Sequence, residues 1–166
     1  MIASILCPGP SLPLTWRPDG TLVIAVNRAA SMHAADWWAF CDADIFRDSA
    51  ALGKPKIFTS RASVERLRKR NYYVDPGMLS DEVDVHDNTW RTFTKTMAIV
   101  LAFKLGAHAI YIYGDDQTEA PDADGVMPRG ANRTPERWRD ERAHVAKLQT
   151  YLAEHRVTVE RICGLA

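Results

Sequence analysis

Along the whole chain, short apolar runs alternate with turns and with longer stretches of helical periodicity. Ile2–Cys7, Thr21–Val26 and Trp38–Cys41 read as strands, bounded by Pro-Gly, by Asp19-Gly20 and by Asp42. Lys56–Thr59 is a fourth candidate, followed by a basic helix over Ala62–Arg70. Ala109–Tyr113, "AIYIY", is the clearest strand, because every residue after its alanine is β-branched or aromatic. Val157–Cys163 reads as the last strand. Two helices stand out. "TKTMAIVLAFKLG", Thr94–Gly106, is apolar on most sides and ends on a glycine suited to a C′ position. Such a helix is expected between layers of the protein, not on its surface. Thr134–Arg156 opens with Thr134 as N-cap and Pro135 at the first helical position. Its packing stripe is Trp138, Val145, Leu148 and Leu152.

Strands that alternate with helices predict an α/β protein: a three-layer Rossmann-like fold with a mostly parallel sheet of about six to seven strands. Crossovers are expected to be right-handed, and residues 1–166 to form one nucleotide-binding domain. In this architecture ligands gather where strands end and helices begin. The polar residues at strand ends are therefore the ones to examine. Two long irregular stretches, 71–88 and 115–133, are expected to be functional lids or mobile segments.

Composition narrows the function classes. The chain has 166 residues, 46% apolar and 25% charged, as in soluble globular domains. Its 21 basic and 21 acidic side chains leave no net field to draw nucleic acid or an anionic membrane. The longest apolar run, Met97–Phe103, is far short of a membrane span. The N-terminus lacks the basic and apolar pattern of a signal peptide, so a cytoplasmic location is expected. Cys7, Cys41 and Cys163 form no CxxC pair, and the five histidines show no zinc-ligand spacing. No G-x-S-x-G elbow is present.

At the first strand end stands "CPGPS", Cys7–Ser11. Two prolines around Gly9 cannot continue a helix or a sheet interior, and Gly9 lets a ligand approach the backbone. The amides of Gly9 and Ser11, with the Ser11 hydroxyl, can face a phosphate while Pro10 fixes the shape; an ordinary turn is the alternative. Asn27, after the second strand, can read a base, ribose or sugar, or cap the following helix. Asp42 and Asp44 form a D-x-D able to hold Mg²⁺ or Mn²⁺ on a diphosphate, or are simply solvated. Thr89, Thr92, Thr94 and Thr96 surround the start of the apolar helix, where Arg91 and Lys95 add charge for an anion; plain capping is the alternative. Gly114, Asp115 and Asp116 end the "AIYIY" strand, and a carboxylate there can orient a hydroxyl or act as a base.

Taken in order, "GPSL", Asn27, Asp42 and "NTWRTFTKTMAIVLAFKLGAHAIYIYGDDQ" resemble a Rossmann-like group of proteins. It comprises the bacterial sialyltransferases of glycosyltransferase family 42 and the hydroxymethylpterin diphosphokinase-like and DUF115 proteins. The resemblance implies that the Gly-Pro-Ser loop lies by nucleotide phosphates. It implies further that the Thr-rich helix start, Leu105-Gly106-Ala107 and Gly114–Asp116 complete the pocket. The histidine of the sialyltransferases would fall near Trp138–Arg139; His144, about a turn further on, is the candidate here.

The function so implied is a transferase acting on a nucleotide-activated donor, a nucleotide sugar first of all. Gly9, Pro10 and Ser11 would hold phosphate; Asn27 and Asp42 would contact base, ribose or sugar; Thr89, Thr92 and Gly114 would add contacts. Asp115 and His144 are the candidate catalytic groups, and no metal is assigned. One alternative is ATP-dependent diphosphoryl transfer, with Mg²⁺ held by Asp42, Asp44, Asp115 and Asp116. Others are a non-catalytic nucleotide-binding protein and a bare interaction module.

Overall fold

The computed structural model describes residues 1–15, 21–72, 78, 93–127 and 133–162. The expected contacts Thr89 and Thr92, most of the acidic stretch 71–88, and Cys163 lie outside these residues. Strands β1 (Ile2–Leu6), β2 (Leu22–Val26), β3 (Trp37–Ala39), β4 (Lys56–Phe58), β5 (Ala109–Tyr113) and β6 (Thr158–Ile162) form one sheet. Their order is β4-β3-β2-β1-β5-β6 and every pairing is parallel. Helices α1 (Ala43–Asp48), α2 (Arg61–Lys69), α3 (Thr94–Lys104) and α4 (Pro135–Glu154), with a 3₁₀ turn over Asn27–Ser31, flank it. This is the three-layer, Rossmann-like α/β fold that alternation along the sequence predicts.

The strand sequences account for the layers, because successive side chains point to opposite faces. Ile5, Ile24, Trp37 and Ile112 face one side, where they pack with α3 and the buried leucines of α4, Leu148 and Leu152. Leu6, Val23, Ala25, Trp38 and Ile57 face the other, toward Ala29, Ala30, Ala43 and Leu67 of the 3₁₀ turn, α1 and α2. The register keeps like with like: Ile5 is opposite Ile24 on one neighbour and Ile112 on the other.

Helix α3 is buried continuously from Lys95 to Ala102 and touches β1, β2, β3 and α4. A helix apolar on all sides has no solvent face to offer, which is why it sits inside the structure. Each fully buried Ile or Leu on it contributes about 1.5–3 kcal/mol. Gly106, at φ 89°, turns the chain out of α3 toward β5. Helix α4 instead buries little beyond Leu148 and Leu152.

The third strand lies one to two residues earlier than the sequence suggests, at Trp37–Ala39 instead of Trp38–Cys41. Asp42 caps α1, accepting from the Asp44 amide at 3.0 Å, so the chain must leave the sheet before it. The carbonyls of Phe40 and Cys41 then accept the hydroxyls of Thr59 and Ser63. Strands β1 to β4 are laid down in one direction; β5 and β6 continue on the other side of β1. The order reverses between β1 and β5, and open α/β sheets bind ligands outside the carboxyl ends of strands at such a point.

Candidate functional site

At this reversal the carboxyl ends of β1, β2 and β3, the loop after β5, and the starts of α1, α3 and α4 enclose a cleft of about 610 Å³. That lies within the roughly 300–1,000 Å³ of small-molecule sites. Gly9, Asn27, Asp42 and Asp115, all chosen from the sequence, line it together. Pro10, Ser11, Gly114 and His144 do not.

The wall at the end of β1 differs from the phosphate loop expected there. The Gly9 amide donates to the Gly114 carbonyl at 2.9 Å, and the Ser11 amide donates to Asp116 Oδ2 at 2.7 Å. Both amides expected to face a phosphate are therefore taken within the protein. The two glycines are there because two backbones meet. A Cβ on Gly9 would lie 2.3 Å from the Gly114 carbonyl oxygen, and one on Gly114 would lie 2.2 Å from that of Cys7. Gly114 also has φ +67°. The Cys-Pro-Gly-Pro-Ser bend stiffens the β1–β5 junction and forms a cleft wall, with no free pair of amides.

Asn27 closes β2 in the left-handed region, at φ 51°. Its carbonyl accepts the Trp38 indole N–H at 2.8 Å, which pins the turn. It does not cap the 3₁₀ turn, whose N-cap is Val26 without a side-chain bond. Among the described residues its side-chain amide makes no hydrogen bond. Asp42 is spent in part on capping α1, while Asp44 pairs with Arg70 and Arg47. Among the described residues, no three His, Cys, Asp or Glu side chains are placed to hold a metal ion.

The cleft floor is an ion triad. Lys95, in the first turn of α3, has a side chain only 4% exposed and donates to both Asp115 oxygens at 2.8 Å. Its ammonium also lies 3.5 Å from Glu141 Oε1 in α4. Burial pulls the Lys95 ammonium down, but Glu141 and Asp115 together outweigh it and leave its pKa raised. Arg161 on β6 approaches Asp115 at 3.8 Å from the solvent side. The Cys7 thiol lies against this triad; burial first, then the Asp115 charge, push it well above the usual thiol range. That direction favours the thiol over the reactive thiolate at Cys7.

A second network closes the opposite wall. Asp122, in the loop after β5, is 1% exposed and takes Arg28 Nε at 3.3 Å and Arg133 at 2.5 Å. Arg28 also pairs with the more exposed Asp124. Arg133 NH1 donates to the carbonyls of Thr118 and Ala120, both at 3.2 Å. The Ala123 amide donates to the Pro8 carbonyl at 2.9 Å, so the loop is tied to the end of β1 as well. Burial raises the Asp122 carboxyl above its ordinary range, although both arginines pull the other way.

Arg137 completes the lining. Its guanidinium lies 5.0 Å from the centre of the Phe93 ring and makes no ion pair among the described residues. His144 misses the cleft for a geometric reason. It lies seven residues past Arg137, about 10 Å further along the helix axis at 1.5 Å per residue. Its ring packs on Phe93 with centroids 5.2 Å apart, and its Nδ1 lies 2.9 Å from the Asp140 carbonyl.

Lys95 was visible in the sequence as a helix-start cation for an anion, but its charge is consumed by two carboxylates. Arg28, Arg133, Arg137 and Glu141 sit in no motif, and Asp122 belongs to an Asp-Ala-Asp in a loop. Topology was the available signal: after a parallel strand, the first turns of the next helix lie on the ligand edge. Comparison with protein-family models, curated proteins and solved structures finds no match. No helix among the described residues is long and apolar enough to cross a membrane.

Proposed function

We propose that the protein is a transferase of the nucleotide-sugar-dependent, glycosyltransferase-like kind, with its donor bound in the cleft between the ends of β1 and β5. The observation that carries this reading is the cleft at the strand-order reversal, with Arg137 unpaired by any carboxylate among the described residues on one side and the Lys95–Asp115–Glu141 floor on the other. A guanidinium on an aromatic face is a planar donor suited to a phosphate oxygen. The donor phosphate belongs beside Arg137 and not on the floor, where two carboxylates meet one ammonium. Asn27 and Asp42, at the ends of β2 and before α1, offer donors and acceptors for ribose or base hydroxyls. Asp115, bonded through both oxygens to Lys95, fixes the charge of the floor on which a hydroxyl would be oriented. Catalysis would come from positioning and from stabilising charge on the leaving phosphate.

A thermal-shift panel of CMP, UDP, GDP, ADP and their sugar conjugates tests the reading. A ligand at 100 times its Kd adds about 2.7 kcal/mol of apparent stability. At least one member should raise the unfolding midpoint, and Arg137→Ala should remove that rise without lowering the midpoint of the free protein. No shift with any member would sink the reading. Turnover that survives EDTA favours sugar transfer; turnover that EDTA abolishes favours ATP-dependent diphosphoryl transfer.

A further inference from the structure

We infer that Glu141 is the group that accepts the acceptor's proton in the cleft, with Asp115 and Lys95 as its positioning residues; this rests on the transferase reading above. The two floor carboxylates are not equivalent. Both Asp115 oxygens accept hydrogen bonds from Lys95 at 2.8 Å, and Arg161 stands 3.8 Å from Oδ2. Asp115 is the anchor of the ammonium. Glu141 is held more loosely by Lys95, at 3.5 Å, an ion pair without a hydrogen bond. Its other oxygen, Oε2, accepts the Gln117 side-chain amide at 3.2 Å, and Gln117 is itself fixed by Arg142 at 2.8 Å. Glu141 Oε1 is thus the least committed carboxylate oxygen on the floor, on a side chain oriented from two directions.

Position on the helix supports the same assignment. Glu141 follows Arg137 by four residues, so both project from one face of α4, about 6 Å apart along its axis at 1.5 Å per residue. Both line the cleft. A donor whose phosphate meets Arg137 therefore carries its sugar carbon toward Glu141. In the transfer step the acceptor O–H gives its proton to Glu141 Oε1. The freed oxygen lone pair forms the new bond to the anomeric carbon. The bond from that carbon to the phosphate oxygen breaks, and its electron pair leaves on the phosphate beside Arg137. The acceptor is a neutral hydroxyl in this scheme, and water can take its place.

The test uses the CMP-, UDP- or GDP-sugar that raises the unfolding midpoint, with release of free nucleotide in water as readout. Glu141→Gln keeps the shape and the Gln117 contact. It should bind the donor within about twofold of the parent while turnover falls by roughly 10²–10⁴, the usual weight of a general base. Glu141→Asp, with the charge withdrawn by one methylene, should bind equally and lose at least about tenfold. Asp115→Asn should lose less turnover than Glu141→Gln. Turnover of Glu141→Gln within threefold of the parent, or a fall matched by lost donor affinity, overturns the assignment. So does donor binding by the parent without any release of nucleotide, which leaves the binding reading intact. No binding by any member of the panel removes both.

Discussion

The floor and the wall of the cleft are built on one plan with opposite sign. On the floor a buried ammonium, Lys95, sits between Asp115 and Glu141, and an exposed guanidinium, Arg161, completes the charge. On the wall a buried carboxylate, Asp122, sits between Arg28 and Arg133, and the more exposed Asp124 completes it. The difference lies in the side chains around the buried charge. Arginines are long and carry their heads toward water, so the wall can rehydrate if its centre is lost. The floor carboxylates have shorter side chains, 14% and 18% exposed against 18% and 26% for Arg28 and Arg133, and can shift less to find new partners. Burying a charge between partners is costly, and removing one partner is costlier still. The floor is therefore the more brittle of the two, and the loop after β5 is tied down by the more forgiving one.

The sharpest break is Lys95→Met. It leaves two floor carboxylates without their cation and should cost about 3–5 kcal/mol in urea unfolding. A loss below about 1 kcal/mol would show that the floor charges are already hydrated. Asp122→Asn is the matching change on the wall and should cost roughly 1–3 kcal/mol, less than the floor variant. The reverse order of the two losses would cancel the distinction.

Titration separates the same two centres. The Lys95 pKa is raised in the fold, so its stabilising contribution is complete below the ordinary lysine value of about 10.4 and is lost as pH rises through its folded value. The stability gap between the parent and Lys95→Met should narrow above that pH. The Asp122 pKa is also raised, so its contribution is complete below about 3.9 and is lost as pH rises through the raised value. The gap between the parent and Asp122→Asn should shrink as pH increases from about 4. A gap that widens instead would mean that the arginines outweigh burial at Asp122.

Smaller effects are expected at the outer partners. Arg161→Ala and Asp124→Ala should each change stability by about 0–1 kcal/mol, the usual range for exposed ion pairs. A loss above 2 kcal/mol from either would move that residue into the buried centre. Finally, Cys7 should stay unmodified by iodoacetamide at neutral pH in the folded parent, as read by mass spectrometry, because burial beside Asp115 holds it as the thiol. Rapid labelling would show that the floor opens to solvent.

Local sequence determined the elements of this protein. The run "AIYIY" reads as a strand from its β-branched and aromatic residues, and it is β5, which the fold places between β1 and β6. The pattern Thr94–Gly106, apolar on most sides and closed by a glycine, reads as an inner helix, and it is α3. These are properties of side-chain period and burial within a dozen residues. The meeting of Gly9, Asn27, Asp42 and Asp115 at one edge was also legible, because a parallel sheet sends every strand end the same way. What each polar group does there was decided only by the tertiary structure. The Gly9 and Ser11 amides are closed by Gly114 and Asp116, partners more than a hundred residues away. Lys95 is turned from an anion ligand into the centre of a triad by Asp115 and Glu141, which come from another strand and another helix. Charge and hydrogen-bond capacity are written in the residue, but whether they are free for a ligand depends on neighbours that only the fold brings within about 3 Å.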